Sequence, residues 1–466
     1  MQNRDRSRMS AATLAAGLLA ASLLAGPAAA QPLKIRKNIA CLDDREVANF
    51  EHAVTILKQR DQEDKRSWDY WVAVHGDFDI AHCLHGNELI FPWHRSMLYH
   101  FEKLLQAADP PRTSNVTLPY WDLSAVPSGD HGYPRAYEKP GSTLSVCHLL
   151  GQAQPCGRET YSKPLRPPYS GNELRQILGL GNWPDFGGRV PGKGRLELGP
   201  HDFIHGVYVN GLMGAVPTAA ADPVFYALHA ELDRLWADWQ QRNPGKDPVQ
   251  LDKPKWNGQI WEELKPPLDT ARSVLKISDL GYAYGPADCG RGEKMAEAPR
   301  AVNEDLPQGG TVTTFPFKLP AAGRDQLRLV LGSVPVDAPS TRVFVFLHPA
   351  NQPYKPGDQH FADAYLAANV TLWQSSTGKH PHAAAAHPAA SDLDVVLFPP
   401  QSSLLAAAAP QSDWVITMVV TAAARARHGT LAAGPGLKFS RASLQLGSGG
   451  TPVDVALTPA RKKEGR

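Results

Sequence analysis

The sequence predicts a mainly α-helical, loop-rich first domain followed by an all-β sandwich. Three observations carry this. The 466 residues exceed what one hydrophobic core usually serves. Up to about Gly281, apolar residues recur at helical spacing between stretches rich in Pro, Gly and Ser. Beyond it, short runs of β-branched and aromatic residues separated by turn residues replace that pattern. With 42% hydrophobic and 20% charged residues the composition is that of a globular protein. A formal charge of +2 offers no basic surplus for a nucleic acid or an anionic membrane. Small molecules or protein partners remain.

Residues 1–30 read as a leader rather than as part of the fold. Arg4, Arg6 and Arg8 precede an apolar stretch from Ala11 to Leu24, and Ala28-Ala29-Ala30 before Gln31 makes a small-residue cleavage site. Fourteen apolar residues are short for a membrane span, and no other stretch approaches that length. The expectation is a cleavable secretory signal, with export to the periplasm or outside and no stable membrane association afterwards.

In the first domain (31–288), Val47, Phe50, Val54 and Leu57 mark an amphipathic helix over Asp44 to Arg60. Trp68 to His75 and Arg95 to Leu105 also read as helices. Asp109 to Arg189 is dense in breakers and reads as irregular. Pro200 is placed to open a short helix, and Asp222-Pro223 to open a longer one through roughly Gln240. On the latter, Phe225, Leu228, Leu232, Leu235, Trp236 and Trp239 form a stripe that has to be buried.

Residues 289–310 lack periodicity and read as a linker. The β-rich domain (311–466) contributes runs at Val312 to Leu319, Leu327 to Leu331, Arg342 to Leu347, Val370 to Trp373, Leu393 to Phe398, Trp414 to Val420 and Leu437 to Leu446. Seven short strands of this kind suit a sandwich or barrel. His380, His382 and His387 fall in an Ala/Pro-rich tract that reads as a loop.

The odd count of five cysteines leaves one over in an oxidising compartment. Cys147 and Cys156 suit a local bridge, and a Cys41–Cys289 bond would tie the ends of the first domain. Cys83 is then unpaired. Four cysteines still allow three pairings.

The first domain's histidines fall in two groups. His201 and His205, four apart, project from one face of a helical turn, as two ligands to one ion require. His229 on the next helix could supply a third, the alternative being a core histidine bonded to a backbone carbonyl, since it shares its face with Phe225 and Leu232. In the other group His75, His82, His85, His94 and His100 lie within 26 residues, together with Cys83. Three of them suffice for a second ion, and His100 faces away from His94 around their helix. Gly76 and Gly86 let backbone approach the site closely. Imidazole ligands without carboxylates favour copper, zinc, iron or nickel over the oxygen-seeking cations. Zinc hydrolysis is disfavoured, because position 202 is Asp and no HExxH base is present.

Several motifs now align. Cys83-x-His85-Gly, Phe91-x-Trp93-His94-Arg95 and Phe101-Glu102 make one segment; His201-x-x-x-His205, Asp222-Pro223-x-Phe225, His229 and Asp233-Arg234-x-Trp236 make the other. Leu118-Pro119-Tyr120-Trp121-Asp122 lies between them. In this order they resemble the two copper-binding regions of the type-3 copper family, which comprises tyrosinases, catechol oxidases and related polyphenol oxidases, and molluscan-type hemocyanins.

The resemblance implies a helix bundle holding two copper ions, one on His75, His85 and His94 (with His82 a rival to His75), the other on His201, His205 and His229. It implies for Cys83 a thioether to His85, with a free buried thiol as the alternative. Asp233, one turn after His229, either holds a ligand ring or pairs with Arg234; Arg95 and Arg234 complete the support behind the ligands. Tyr282-Ala283-Tyr284 resembles the family's domain-closing tyrosine motif, with Arg36 as its partner. The implied activity is a copper oxidase using dioxygen to oxidise small phenols to o-quinones; the alternative is a hemocyanin-like reversible dioxygen carrier. The β domain is expected to lay a side chain over the copper pocket, the alternative being a scaffold with no gating function. Glu197 and Asp202 are the implied catalytic groups, Glu197 holding a water near the second copper. Two adjacent negative charges there would oppose an incoming phenolate, the alternative being that Asp202 acts as a base and helps deprotonation; on the first reading, strong diphenol oxidation and weak monophenol hydroxylation are expected.

Overall fold

The computed structural model describes residues 33–77, 80–81, 83–124, 133–139, 141–146, 171–209, 211–248, 250–252, 264–290, 306–307, 309–335, 341–373, 390–400, 402–425, 431–433, 437–447 and 453–460. The leader, His82, Cys147, Cys156, His380, His382, His387 and most of the linker lie outside these residues. Among the described residues no helix is long and apolar enough to cross a membrane.

Helix α1 (Asp44–Lys58) starts on a capping box, with Asp43 accepting from the Glu46 N–H and Glu46 accepting from the Asp43 N–H. It buries Phe50, Ala53, Val54 and Leu57, one stripe at helical spacing. Helix α2 (Trp68–Gly76) is capped by Ser67. Helix α3 (Ile90–Ala108) begins five residues before the expected Arg95. Pro92 does not block it, because a first-turn residue has no intrahelical partner for its N–H in any case. Helix α4 (Gly171–Leu178) lies in the region expected to be irregular. Helix α5 (Val224–Arg242) buries the predicted stripe and packs on α3, where Phe101 stacks on Tyr226 at 3.9 Å.

Strand β1 (Lys34–Arg36) pairs in parallel with β2 (Tyr282–Tyr284), bringing the two ends of this domain together. The Cys41–Cys289 disulfide fastens the same junction, while Cys83 is buried and takes part in no disulfide. A loop of this length, closed in the unfolded chain, raises the folded state's relative stability by removing chain entropy.

The remaining strands form two facing antiparallel sheets. One has the order β11 (Val453–Leu457), β10 (Arg441–Leu446), β4 (Leu327–Pro335), β7 (Ala390–Leu397). The other runs β3 (Thr311–Lys318), β8 (Asp413–Arg425), β5 (Thr341–Pro349), β6 (Leu366–Leu372), with β9 (Leu431–Ala433) on β8. Leu329, Leu331, Val343, Val345, Ile416 and Met418 fill the space between them. Strand β5 reads as a continuous apolar run because its outer residues Phe344 and Phe346 are also buried, under helix α6 (Gln359–Tyr365) and its Phe361. Neither α6 nor β11 was legible as an element in the sequence.

The sandwich is seated on the helical domain by mixed contacts. Asp185, buried, accepts from Arg328 and from Gln326 at 2.7 Å, and Arg189 pairs with Asp394 at 2.7 Å. Leu198 packs into the sandwich core, and Trp373 and Val396 pack into the helical one.

Candidate metal centre

Six imidazoles converge between α2, α3, α5 and the helical turns Glu197–His201 and Ile204–Val209. Pro200 lies within this run rather than at its start, and the chain kinks at Gly199. The ligand-capable atoms of His75, Cys83, His85 and His94 lie within 4.8 Å of one another, as do those of His201, His205 and His229. The two groups face each other: His94 stacks on His229 with centroids 4.0 Å apart, and His85 lies 5.2 Å from His201. His100, though buried, belongs to neither group.

Local backbone orients each ring. Gly76 permits this at His75: a Cβ there would lie 2.5 Å from Pro217 Cα, so only glycine lets the chain pass close enough to put Val216 O 3.0 Å from His75 Nδ1. His94 Nδ1 faces Ile90 O at 2.7 Å and His205 Nδ1 faces Met213 O at 2.9 Å. His201 Nδ1 faces Asp202 Oδ1 at 2.8 Å. Carbonyl and carboxylate oxygens only accept, so these four Nδ1 atoms carry the proton and each Nε2 is left with a lone pair. Nε2 of His75, His94 and His201 is buried without a partner, and His205 Nε2 lies 3.2 Å from His229 Nε2.

Burial, and secondarily the neighbouring imidazoles, push His75, His85, His201 and His229 well below the ordinary histidine pKa. Burial likewise brings His94 and His205 down to about 3. All six rings are neutral near pH 7. Buried lone pairs left unpaired in two facing all-nitrogen triads fit two copper ions, and the outward hydrogen bonds are those that orient metal-bound imidazoles. Cys83 Sγ lies 3.0 Å from His85 Nδ1 and 3.5 Å from Nε2, so it faces the ring carbon between them. Burial raises its pKa well above the ordinary thiol value, which makes it a poor thiolate ligand.

Glu197 and Asp202 are fully buried beside His201. Gly86, in the left-handed region with φ +64°, donates its N–H to Glu197 Oε1 at 2.8 Å; Oε2 is unpartnered. Burial pushes both carboxyls above the ordinary carboxylate range, against the opposing pull of a lysine. That lysine is Lys193, whose Nζ lies 2.6 Å from Asp202 Oδ2 and 3.5 Å from Glu197 Oε1. The expectation of two unscreened negative charges is therefore corrected. Sequence reasoning passed over Lys193, although its i,i+4 spacing to Glu197 is a recognisable pair signal.

Asp233 neither holds a ligand ring nor pairs with Arg234. It accepts from Arg95 and Arg36, from the Tyr282 hydroxyl at 2.7 Å and from the Tyr284 hydroxyl at 2.5 Å. A buried carboxylate needs several donors, and the β1–β2 junction supplies them. Against the upward push of burial, Arg95 and Arg36 hold its pKa below the usual range. Arg234 pairs instead with Glu231 and Asp238 at 2.7 and 3.1 Å. Asp233→Asn is expected to lower stability by about 3–5 kcal/mol, because buried guanidinium charge loses its partner. Urea denaturation measures this, and a loss under about 1 kcal/mol contradicts it.

From the sandwich, Trp373 reaches into the cleft beside the histidines. Its indole stacks on His205 at 4.3 Å and 13°, and meets His85 and His201 edge-on at 5.1 and 5.4 Å. Its Nε1 donates to Gly214 O at 2.8 Å. A Cβ on Gly206 would sit 3.1 Å from its Cδ1, so the fit is close. Nothing in the sequence around a strand-ending tryptophan marks it for this position.

Residues 65–167 and 150–242 match the model of the common central domain of tyrosinase. A tyrosinase of Streptomyces glaucescens is 30% identical over 279 residues, covering 54% of this chain and 99% of that protein. A tyrosinase of Hahella sp. is 28% identical over 298 residues, 55% of this chain; the chain spans 64% of that protein's length. Among solved structures, latent apple tyrosinase aligns with a TM-score of 0.57 at 18% identity, over 84% of this chain and 94% of that one. An octopus hemocyanin functional unit aligns with a TM-score of 0.55 at 16% identity, over 88% and 99%. Those two likenesses concern the fold, whereas the Streptomyces match spans a whole relative at a closer identity. The chain belongs to the tyrosinase family of type-3 copper oxidases.

Proposed function

We propose that this chain, exported by the leader of residues 1–30, oxidises small o-diphenols to o-quinones and is held latent by Trp373. The observation that carries the reading is the pair of facing imidazole triads, in which Nε2 of His75, His94 and His201 is buried without a partner and His205 Nε2 faces His229 Nε2. His75, His85 and His94 would hold one copper and His201, His205 and His229 the other. Together the ions would supply the redox chemistry, in which two o-diphenols give four electrons and four protons to one dioxygen, yielding two o-quinones and two waters.

The chain's own residues do the rest. Backbone carbonyls and Asp202 fix the rings through Nδ1. The face of His205 that now carries the indole is the stacking surface for a substrate ring. Glu197 Oε2, buried and unpartnered, is the acceptor for a phenolic proton through a held water. Burial around the site excludes bulk water. The facing of Cys83 Sγ toward the His85 ring carbon supports the thioether reading.

Oxidation of 4-methylcatechol by copper-reconstituted protein, opened with sub-micellar dodecyl sulfate, tests this. Reversible oxygen binding without quinone formation would instead make the chain a carrier. With Lys193 between the carboxylates, Asp202 assists rather than repels a phenol. Asp202→Asn releases Lys193 entirely to Glu197 and weakens that base, so the tyramine-to-4-methylcatechol rate ratio should fall roughly tenfold. A rise in that ratio would restore the repulsion argument.

A further inference from the structure

Trp373 is held by its main chain as well as by its ring. Its N–H donates to Asp202 Oδ2 at 3.3 Å, and its carbonyl accepts from Lys193 Nζ at 3.3 Å. Lys193 and Asp202 are themselves 2.6 Å apart, so one ion pair grips both polar groups of a single residue while His205 carries that residue's ring. Both gripping side chains belong to the helical domain, and they stay behind when the plug withdraws. Their vacated hydrogen-bonding positions then have to be filled by water or by whatever enters. An N–H and a C=O on one carbon, a single methylene away from an aromatic ring, describe an aromatic amino-acid residue; a simple phenol has neither group. The plug also arrives as part of a continuous chain, from Leu372 at the end of β6, so the cleft accommodates a polypeptide leading into it.

We propose that the cleft vacated by Trp373 recognises aromatic residues in amide linkage, with Lys193 and Asp202 as the specificity-determining pair. The favoured substrates are then phenolic and o-diphenolic side chains within peptides, over free phenols of the same ring. This rests on the reading above that plug and substrate share the cleft. The reaction balances for each: two o-diphenolic residues and one dioxygen give two o-quinone residues and two waters, and one phenolic residue and one dioxygen give one o-quinone residue and one water.

The test uses the full chain, opened by sub-micellar dodecyl sulfate or by Trp373→Pro, which removes both the indole and the N–H; the detergent-opened chain carries the measurement if the Pro variant fails to fold. In copper-free protein, calorimetry should show N-acetyl-L-tyrosinamide binding about tenfold more tightly than 4-ethylphenol, as expected for two hydrogen bonds involving charged groups. In reconstituted protein, the kcat/KM ratio of N-acetyl-3,4-dihydroxyphenylalaninamide to 4-methylcatechol should favour the amide to a similar degree. Lys193→Gln should reduce both preferences at least threefold, and Lys193→Arg should keep them. Equal binding of the two ligands, or a preference untouched by Lys193→Gln, overturns the proposal. If 4-methylcatechol is oxidised without any amide preference, this proposal fails and the oxidase reading stands. If no diphenol is oxidised while the copper-free preference holds, the oxidase reading fails and this one stands.

Discussion

His205→Ala should lower catechol oxidation by more than about a hundredfold and reduce the copper content of reconstituted protein from two ions per chain toward one. Loss of a mere outer hydrogen-bond partner of a metal ligand already costs 10–100-fold, and here the ligand itself is removed. His205 occupies a central place: its Nδ1 is fixed by Met213 O, its Nε2 lies 3.2 Å from His229 Nε2, and its face carries the Trp373 indole. An ion left with two imidazoles loses affinity, and the remaining buried lone pairs gain no substitute donor. His94→Ala should act alike on the other triad, because His94 is fixed by Ile90 O and is equally buried. Copper quantification after dialysis, together with 4-methylcatechol oxidation, measures both. Two ions retained and near-normal turnover in either variant would remove that residue from the ligand set.

Trp373→Ala should raise catechol oxidation at least tenfold in the absence of detergent or protease. The indole covers the His205 face and meets two further imidazoles, so a substrate ring and the plug compete for one surface. Truncation removes the stack, the Nε1 bond to Gly214 O and most of the buried apolar area, which for a Trp-to-Ala change amounts to about 3–5 kcal/mol of packing. Trp373→Phe keeps a stacking ring without that bond and should fall between wild type and Ala. Detergent should add little to the Ala variant, since what it releases has already gone. A variant that folds, binds copper and stays as slow as wild type would leave the sandwich a scaffold with no covering role.

The legibility of this chain varied with the range of the interactions involved. Helices α1 and α5 were readable because their buried stripes lie within one element, as at Phe50, Val54 and Leu57. The start of α3 was not, because Pro92 signals a break in sequence yet sits where a helix tolerates it. Strand β11 and helix α6 are short and owe their stability to the sheet they cover rather than to their own pattern. The histidines stood out by type and spacing, and the structure gathers six of them into two facing groups. Asp233 was visible as a charged residue one turn beyond His229, but its donors come from residues 36, 95, 282 and 284, which no local rule connects.

By itself the sequence determined which chemistry is available. Neutral imidazoles at helical spacing, an unpaired cysteine two residues from a histidine, and a helical domain followed by a β-rich one are properties of residue type and period, and these are local. The tertiary structure alone decided what controls that chemistry. Lys193 enters between Glu197 and Asp202, and Trp373 arrives from a different domain, 168 positions after His205 in the chain, to lie on its ring. The physical reason is that screening of a buried charge and occupancy of a cleft depend on distances through space. Those distances are set by how the helical and sandwich cores pack against each other, and no periodicity within either segment encodes them.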